Sequence, residues 1–434
     1  MMSFVWELEK VISQQPNPEE LDTIEIEEFP EPMPKDVFRG EVGAIVEYLS
    51  QFTEACKEAL LINFLVTFGN MVGKKAWIEI GGIKHYPNLF AVLVGDTSSG
   101  RKGSSWGIVK RVIEKADPNY LSNNVRTGTV SGEGIVYHVR DPIYKWDKST
   151  ETYEMIDPGV KDKRLLIIEP EFASLLRVMK REGNTISPLL RNAWDSEKLE
   201  TLSKTNYTKS ENAHISLIGH ITLDELKKEL SDVEKMNGFG NRFLWLCVRR
   251  SKLLPNVPPI PEDKLTVLGL LIKDMVAKAP EGPISKTEAA EEIWTLIYES
   301  LADKGEGETA ALISRAEAQI LRLSLIYALM DGNHQITHEH ICTAKLVWDY
   351  CQKSVEFIFG ALKKYDPIAD KILKALQEKG EMTQSEIFKL FDNNLRANQL
   401  AETLKKLSAK GLIASEEIKT QGRPKRVWRL KTNQ

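Results

Sequence analysis

Leu89-Phe90-Ala91-Val92-Leu93-Val94-Gly95-Asp96-Thr97-Ser98-Ser99-Gly100-Arg101-Lys102-Gly103-Ser104-Ser105 is the stretch on which the fold turns. Its unbroken apolar run predicts a strand buried on both faces, and the Gly/Ser-rich turn after it leads into a helical pattern over residues 106–116. A nucleotide-binding P-loop needs glycines so that backbone N–H groups can wrap phosphates, a lysine for the outer phosphates and a hydroxyl for magnesium, all between a strand and a helix. Gly95, Gly100, Lys102, Gly103, Ser104 and Ser105 supply these groups. The standard spacing would place the lysine at 101, where Arg101 stands, with the hydroxyl directly after it. A one-residue lengthening makes Lys102 the phosphate lysine and Ser104 the magnesium hydroxyl. An ordinary Gly/Ser turn has the same composition, so the rest of the chain decides between the two.

ATP hydrolysis also needs carboxylates at the end of a neighbouring strand, one for the metal's water shell and one to polarise the attacking water. Arg164-Leu165-Leu166-Ile167-Ile168-Glu169-Pro170-Glu171-Phe172 runs an apolar strand into two acids, Glu169 for the metal and Glu171 for the water. A helical pattern at 134–139 and further apolar strands at 215–219 and 243–248 complete an α/β alternation, which predicts a parallel sheet covered by helices.

Working outward, residues 1–34 carry nine acidic side chains against Lys10 alone and five prolines, which predicts an acidic tail or arm. A helical N-terminal subdomain follows over 35–86, then the sheet-bearing core over 87–256. Four prolines within residues 253–261 mark a linker, and an all-helical region is expected over 262–360. Hydrophobic residues at 42% and charged residues at 28% exclude wholesale disorder, and no apolar run approaches the roughly 18 residues that span a bilayer. Cys56, Cys247, Cys342 and Cys351 have no paired short spacing, so neither disulfides nor a structural metal is expected, and the cytosol is the expected compartment (cytoplasmic, with no membrane partner).

The order of these elements resembles the AAA+ ATPases, most closely the MCM branch of ring helicases and their relatives on mobile elements. In that branch the acidic pair is followed by a phenylalanine, as Glu171-Phe172 is here. A hairpin with a DNA-tracking lysine precedes the next core strand, and Leu202-Ser203-Lys204-Thr205-Asn206 precedes Ile215-Ser216-Leu217-Ile218-Gly219-His220 in the same way. The resemblance then implies a polar sensor at His220, an arginine finger at Arg242 of Asn241-Arg242-Phe243, and a lid arginine at Arg315. A further hairpin over residues 143–156, with Tyr144, Trp146, Tyr153 and Met155 alternating, matches an insertion of the same branch. Trp146 there is placed to stack on bases, although such aromatic pairs also simply hold hairpins together. The chain departs from the family in its lengthened P-loop, in Pro170 splitting the acidic pair and in a histidine where asparagine is usual. It also resembles a poorly characterised group of P-loop ATPases found beside primases in phages and plasmids.

Residues 366–431 read as a winged helix: three short helices, with Thr383 capping the second, and a hairpin whose turn is basic. Residues 419–431 hold six basic and no acidic side chains. Asn398, Gln399, Lys405 and Lys406 line the exposed side of the third helix, while Arg423, Lys425 and Arg426 form a wing with no acidic neighbour in sequence. That pattern predicts DNA binding, with protein docking as the other use of such a module.

The sequence thus predicts an α/β chain: an AAA+ P-loop NTPase core with a helical N-terminal subdomain, a helical lid and a C-terminal winged helix. The expected activity is that of an ATP-driven, ring-forming DNA-dependent ATPase, a DNA helicase or helicase-like replication protein of a mobile element. ATP and Mg2+ are the expected cofactors. Single-stranded and duplex DNA, further copies in a hexameric ring and a primase are the candidate partners. The alternative is a DNA-binding initiator or regulator that uses ATP only to assemble, and a non-hydrolysing interaction protein is a third option.

Overall fold

Five strands, β1 (Phe90–Val94), β2 (Val125–Thr127), β3 (Arg164–Glu169), β4 (His214–Ile221) and β5 (Phe243–Cys247), form an all-parallel sheet in the order β5-β1-β4-β3-β2. The computed structural model describes residues 29–96, 100–129, 131–201, 207–302, 307–360, 367–391, 397–409, 412–418 and 425–431. Most of the acidic arm, Thr97 to Ser99 of the loop after β1, Lys204 and Arg423 lie outside these residues.

β1 and β5 are apolar throughout, and β3 and β4 largely so, because both faces are covered there, and successive side chains feed different cores. Leu89, Ala91, Leu93, Leu244 and Leu246 pack on one side, whereas Phe90, Val92, Phe243 and Trp245 pack on the other. The first side receives α1 (Gly40–Ser50), α2 (Lys57–Val72) and α3 (Lys102–Ala116), and the second α4 (Phe172–Met179), α5 (Ile186–Trp194) and α6 (Leu223–Glu229). The helix α3, after the Gly/Ser-rich loop, starts four residues earlier than its apolar pattern, because Gly103, Ser104 and Ser105 occupy its first turn. The strand β2 had no sequence signal: three residues, half-exposed or exposed, cannot show a period.

Beyond the proline-rich connection, α7 (Glu262–Lys278) lies along α3, close enough that a side chain on Gly269 would meet Lys115. The helices α8 (Ala316–Met330) and α9 (His338–Phe359) follow, and α9 covers the open edge of β5. There Tyr350 donates to the Cys247 carbonyl at 2.6 Å, and the Cys247 N–H donates to Ser354 Oγ at 3.1 Å. Covering an edge strand removes the unpaired ladder that would otherwise recruit other chains. The region is not all-helical: Gly282–Pro283 pairs with the strand Ala76–Ile80, and Ser285–Lys286 with Gln335–Ile336.

Segments 35–86, 87–256 and 262–360 share one hydrophobic core, and the chain divides into two compact units, Met1–Gly360 and Ala361–Gln434. Asn70 of α2 shows how the first segment is fastened to the sheet. Its amide donates to the carbonyls of Leu165 and His214 at 3.1 and 3.3 Å and accepts from the Tyr120 hydroxyl at 2.6 Å.

The second unit contains α10 (Pro367–Lys379), β6 (Glu381–Thr383), α11 (Gln384–Lys389), α12 (Ala397–Ala409) and the hairpin β7 (Ile413–Ile418) and β8 (Lys425–Leu430). The three strands form an antiparallel sheet in the order β6-β8-β7, one strand more than the sequence pattern predicts. Ile372, Leu376, Leu400, Leu404, Leu407 and Trp428 make its core, and a reciprocal Thr383–Glu386 capping box starts α11. Among the described residues, no helix is long and apolar enough to cross a membrane.

Candidate nucleotide site

In parallel α/β sheets ligands bind beyond the carboxyl ends of the strands. Gly95 follows β1 there, its N–H donating to the carbonyl of Ile221 at 3.2 Å, and a side chain on it would lie 2.2 Å from the carbonyl of Val248. Glycine is therefore required by the approach of the chain leaving β5. Gly100 closes the loop, its N–H donating to the Asp96 carbonyl at 3.2 Å.

Lys102 is the first residue of α3, and its ammonium folds back to donate to the carbonyls of Gly95 at 2.6 Å and Asp96 at 3.0 Å. Burial lowers its pKa, with the charges of Asp96 and Glu225 acting the other way. Cation, loop carbonyls and the positive end of a 15-residue helix thus meet at one point. Arg101 takes a different course, with left-handed backbone (φ 47°) and its guanidinium on Glu54 at 2.5 Å. Of the lengthened loop's two cations, only Lys102 faces the loop's own carbonyls.

The two serines separate as well. Ser104 is exposed on the first turn of α3. Ser105 was grouped with the cofactor-binding residues by position, but it turns inward: fully buried, it donates to the Lys102 carbonyl at 2.6 Å and accepts from Asn63 at 3.0 Å. Gly103 has open space where a side chain would stand.

The acidic pair splits in the same manner. Glu169 ends β3, is 4% exposed and accepts the Thr129 N–H at 2.6 Å, which joins it to the loop after β2. Glu171, beyond Pro170, is exposed at the start of α4 and is touched only weakly by Ser174 Oγ at 3.4 Å. Phe172 turns into the core against Gly219, where any side chain would lie 2.6 Å from its ring.

On β4, between β1 and β3, His220 pairs in register with Leu93 of β1. It is 4% exposed, its Nε2 has no hydrogen-bond partner, and burial, with Lys102 adding to it, pushes its pKa down to about 4. At neutral pH it is an uncharged polar group beside a cation. His214, at the other end of β4, is fully buried and pushed down to about 3, again by burial first. Both imidazoles bind protons more weakly folded than unfolded. The stability they contribute is present above about pH 6.5 and lost as pH falls toward 4. His220→Asn should therefore lose less melting temperature than wild type between pH 7 and pH 4.5; equal losses would remove His220 from this account.

Glu225, on α6 after β4, is a site residue that the sequence reading missed. It acts on Lys102 through its charge and shares a cap with Thr222, whose hydroxyl donates to it at 2.9 Å. The spacing Thr222-x-x-Glu225 was the available signal.

Arg242 and Arg315 are brought together, but not with Lys102. Arg242 precedes β5 at its amino end, about five residues or roughly 16 Å of strand from the crevice, which exceeds an arginine's reach. One carboxylate, Asp195 after α5, holds both: Arg242 Nη2 at 2.5 Å and Arg315 Nη1 at 3.2 Å. Both guanidiniums, and that of the buried Arg322 at 3.6 Å, lie over the Trp194 ring. Burial lowers the Arg322 pKa to about 9, with Asp195 opposing and the other two arginines adding to the shift.

The hairpin Ile143–Asp147 and Thr152–Asp157 exists as expected, with Trp146 opposite Tyr153 in edge-to-face contact at 5.0 Å and both exposed. A second hairpin, Leu199–Thr201 with Thr208–Ser210, precedes β4, and its tip with Lys204 lies outside the described residues. In the second unit Lys405 is exposed on α12; Asn398 and Gln399 lie in that helix's first turn, their side chains, like those of Lys406 and Lys425, outside the description. Arg426 is exposed, but the pairing of β7 with β8 sets it opposite Glu417, and Arg429 bonds Glu416 at 3.2 Å. The basic strand β8 thus does have acidic neighbours, contributed by pairing rather than by sequence.

Comparison of the chain with protein-family models gives no match, and comparison with curated proteins gives none.

Proposed function

We propose that the chain is an ATP-driven, DNA-dependent ATPase with an AAA+ P-loop core, acting as a ring of identical subunits, and that its work is that of a helicase or helicase-like replication protein. The observation that carries this reading is that Lys102, Glu169 and His220, from α3, β3 and β4, lie at the carboxyl ends of neighbouring strands: Glu169 pairs with Gly219, His220 follows it with Nε2 unbonded, and the Lys102 charge acts on His220. Lys102 and the first-turn N–H groups of α3 would hold the outer phosphates. Ser104 and Glu169 would hold Mg2+, which supplies charge neutralisation between phosphates. Glu171, exposed and lightly bonded, is free to polarise a water, and neutral His220 can donate or accept without adding charge. The helices from 262 to 360 act as the lid.

Support for a ring comes from the opposite end of the sheet. Two guanidiniums, those of Arg242 and Arg315, share the Asp195 carboxylate there, with the buried Arg322 adding positive charge beside them, so an anion brought by a second copy would complement the pair. Support for DNA rests on the second unit, whose three helices and three-stranded sheet suit a winged helix, and on exposed Trp146.

The test is ATP turnover without DNA, with single-stranded DNA and with duplex, alongside strand displacement on a forked duplex. Several-fold stimulation with displacement is expected. Hydrolysis without displacement would favour the assembly switch, and no nucleotide binding would sink both. Removing residues 361–434 should leave nucleotide binding intact and weaken duplex affinity, with a shallower dependence on salt. Unchanged duplex affinity would reassign the second unit to protein docking.

A further inference from the structure

Arg101 is the residue by which the loop exceeds the standard P-loop spacing, and it adopts a backbone conformation that side-chain-bearing residues rarely take. A glycine would serve there without strain, so the arginine's side chain needs a reason. Its guanidinium meets Glu54, a carboxylate only 8% exposed in the segment joining α1 to α2. The other Glu54 oxygen accepts the Leu254 N–H at 2.7 Å, and Arg250 Nε stands 3.5 Å from the first. The Glu54 main-chain carbonyl accepts the Ser251 N–H at 2.9 Å, and Ala55 bridges Arg250. One buried acid thus joins the nucleotide loop to residues 250–254, where the chain leaves β5 for α7, and α7 lies along α3.

We propose that Glu54 is a positioning residue for the nucleotide site: through Arg101 it holds the start of α3, and with it Lys102, in place for binding and ties that start to the connection between the sheet and the helices of 262–360. The inference rests on the nucleotide reading above. It explains why the extra residue is an arginine, and why that residue is not the phosphate cation. A tether on the residue before α3 acts on nucleotide affinity, since it sets where Lys102 stands before binding.

The test measures the Kd of a fluorescent ATP analogue with Mg2+ for full-length wild type, Glu54→Gln, Arg101→Gly, their double variant, Arg101→Lys and Lys102→Ala. Melting temperatures establish that each is folded. Arg101→Gly and Glu54→Gln should each raise Kd about tenfold, and the double variant should be no weaker than either single, as expected when two residues act through one contact. Arg101→Lys, which keeps the cation, should stay within about threefold of wild type. Arg101→Gly within twofold of wild type would overturn the tether, because then backbone conformation alone would matter. Losses that add in the double variant, or a lysine variant as weak as the glycine one, would overturn it equally. If Glu54→Gln does not fold, Arg101→Gly and Arg101→Lys decide alone, since Arg101 is on the surface. Nucleotide binding that survives Lys102→Ala would instead bring down the site assignment beneath the proposal.

Discussion

Lys102→Ala removes ATP binding, with an expected loss of at least about a hundredfold in affinity, or roughly 3 kcal/mol, the upper range for hydrogen bonds from a charged group. The ammonium is already gathered into the loop, bonded to the carbonyls of Gly95 and Asp96 and half-buried against the start of α3. An incoming phosphate exchanges these neutral acceptors for an anionic one in a partly desolvated place, where the charge pair is stronger than in water. Alanine leaves only backbone donors, and neither Arg101, held by Glu54, nor Arg242, at the amino ends of the strands, is positioned to replace the lost cation. The melting temperature should hardly change, because both carbonyls can bond water at the crevice. Titration with a labelled ATP analogue checks the loss. If Arg101→Ala proves the more damaging substitution, the loop's register is shifted by one residue and Arg101 is the phosphate cation.

What could be read in advance follows from the range of the interactions. The strands β1, β3, β4 and β5 were legible because a sheet covered on both faces writes continuous apolar runs, and Glu169 stood out as a charge at the end of one. The acidic pair, the two hairpins and the capped second helix of the C-terminal unit are local patterns of the same kind. The start of α3 was hidden because Gly103 and Ser104 are poor helix formers, tolerated in a first turn. Long-range partners wrote nothing in the sequence. Glu54 and Arg101 lie 47 positions apart, Asp195 and Arg315 lie 120 apart, and no periodicity announces either pair. The inward turn of Ser105 depends on Asn63 of α2, a contact that only the folded chain makes. The acidic partner of the basic strand β8 is another case: Glu416 on β7 bonds Arg429 through pairing across the hairpin, which a linear charge count does not see.

Arg242→Ala should stop ATP turnover while leaving nucleotide binding intact, and the defect should be repairable by a second protein that is itself inactive. Arg242 precedes β5 at the amino ends of the strands, whereas Lys102 stands beyond the carboxyl end of β1, so within one subunit it would not reach a phosphate bound at Lys102. It is 8% exposed, held by Asp195 and by the carbonyl of Gly238, and burial lowers its pKa, with Asp195 opposing. A buried guanidinium with a single carboxylate shared among neighbours is poorly compensated, and a phosphate from an adjoining copy would complete it. An arginine supplied across a boundary in phosphoryl transfer is worth roughly 10³ to 10⁵ in rate, so turnover by Arg242→Ala should fall to near background. Glu171→Gln should give the same phenotype for a different reason, the loss of a base in the subunit that holds the nucleotide. The two are separated by mixing. Arg242→Ala contributes an intact crevice, Lys102→Ala contributes an intact arginine, and the junction that pairs them has every group, so mixed preparations should recover activity. Mixing Arg242→Ala with Glu171→Gln should recover it also, whereas Glu171→Gln with Lys102→Ala should not, since neither supplies a working crevice. Absence of recovery at every ratio, in preparations shown to exchange subunits, would rule out a shared site. Arg242 and Asp195 would then be an ion pair within one subunit that serves folding alone.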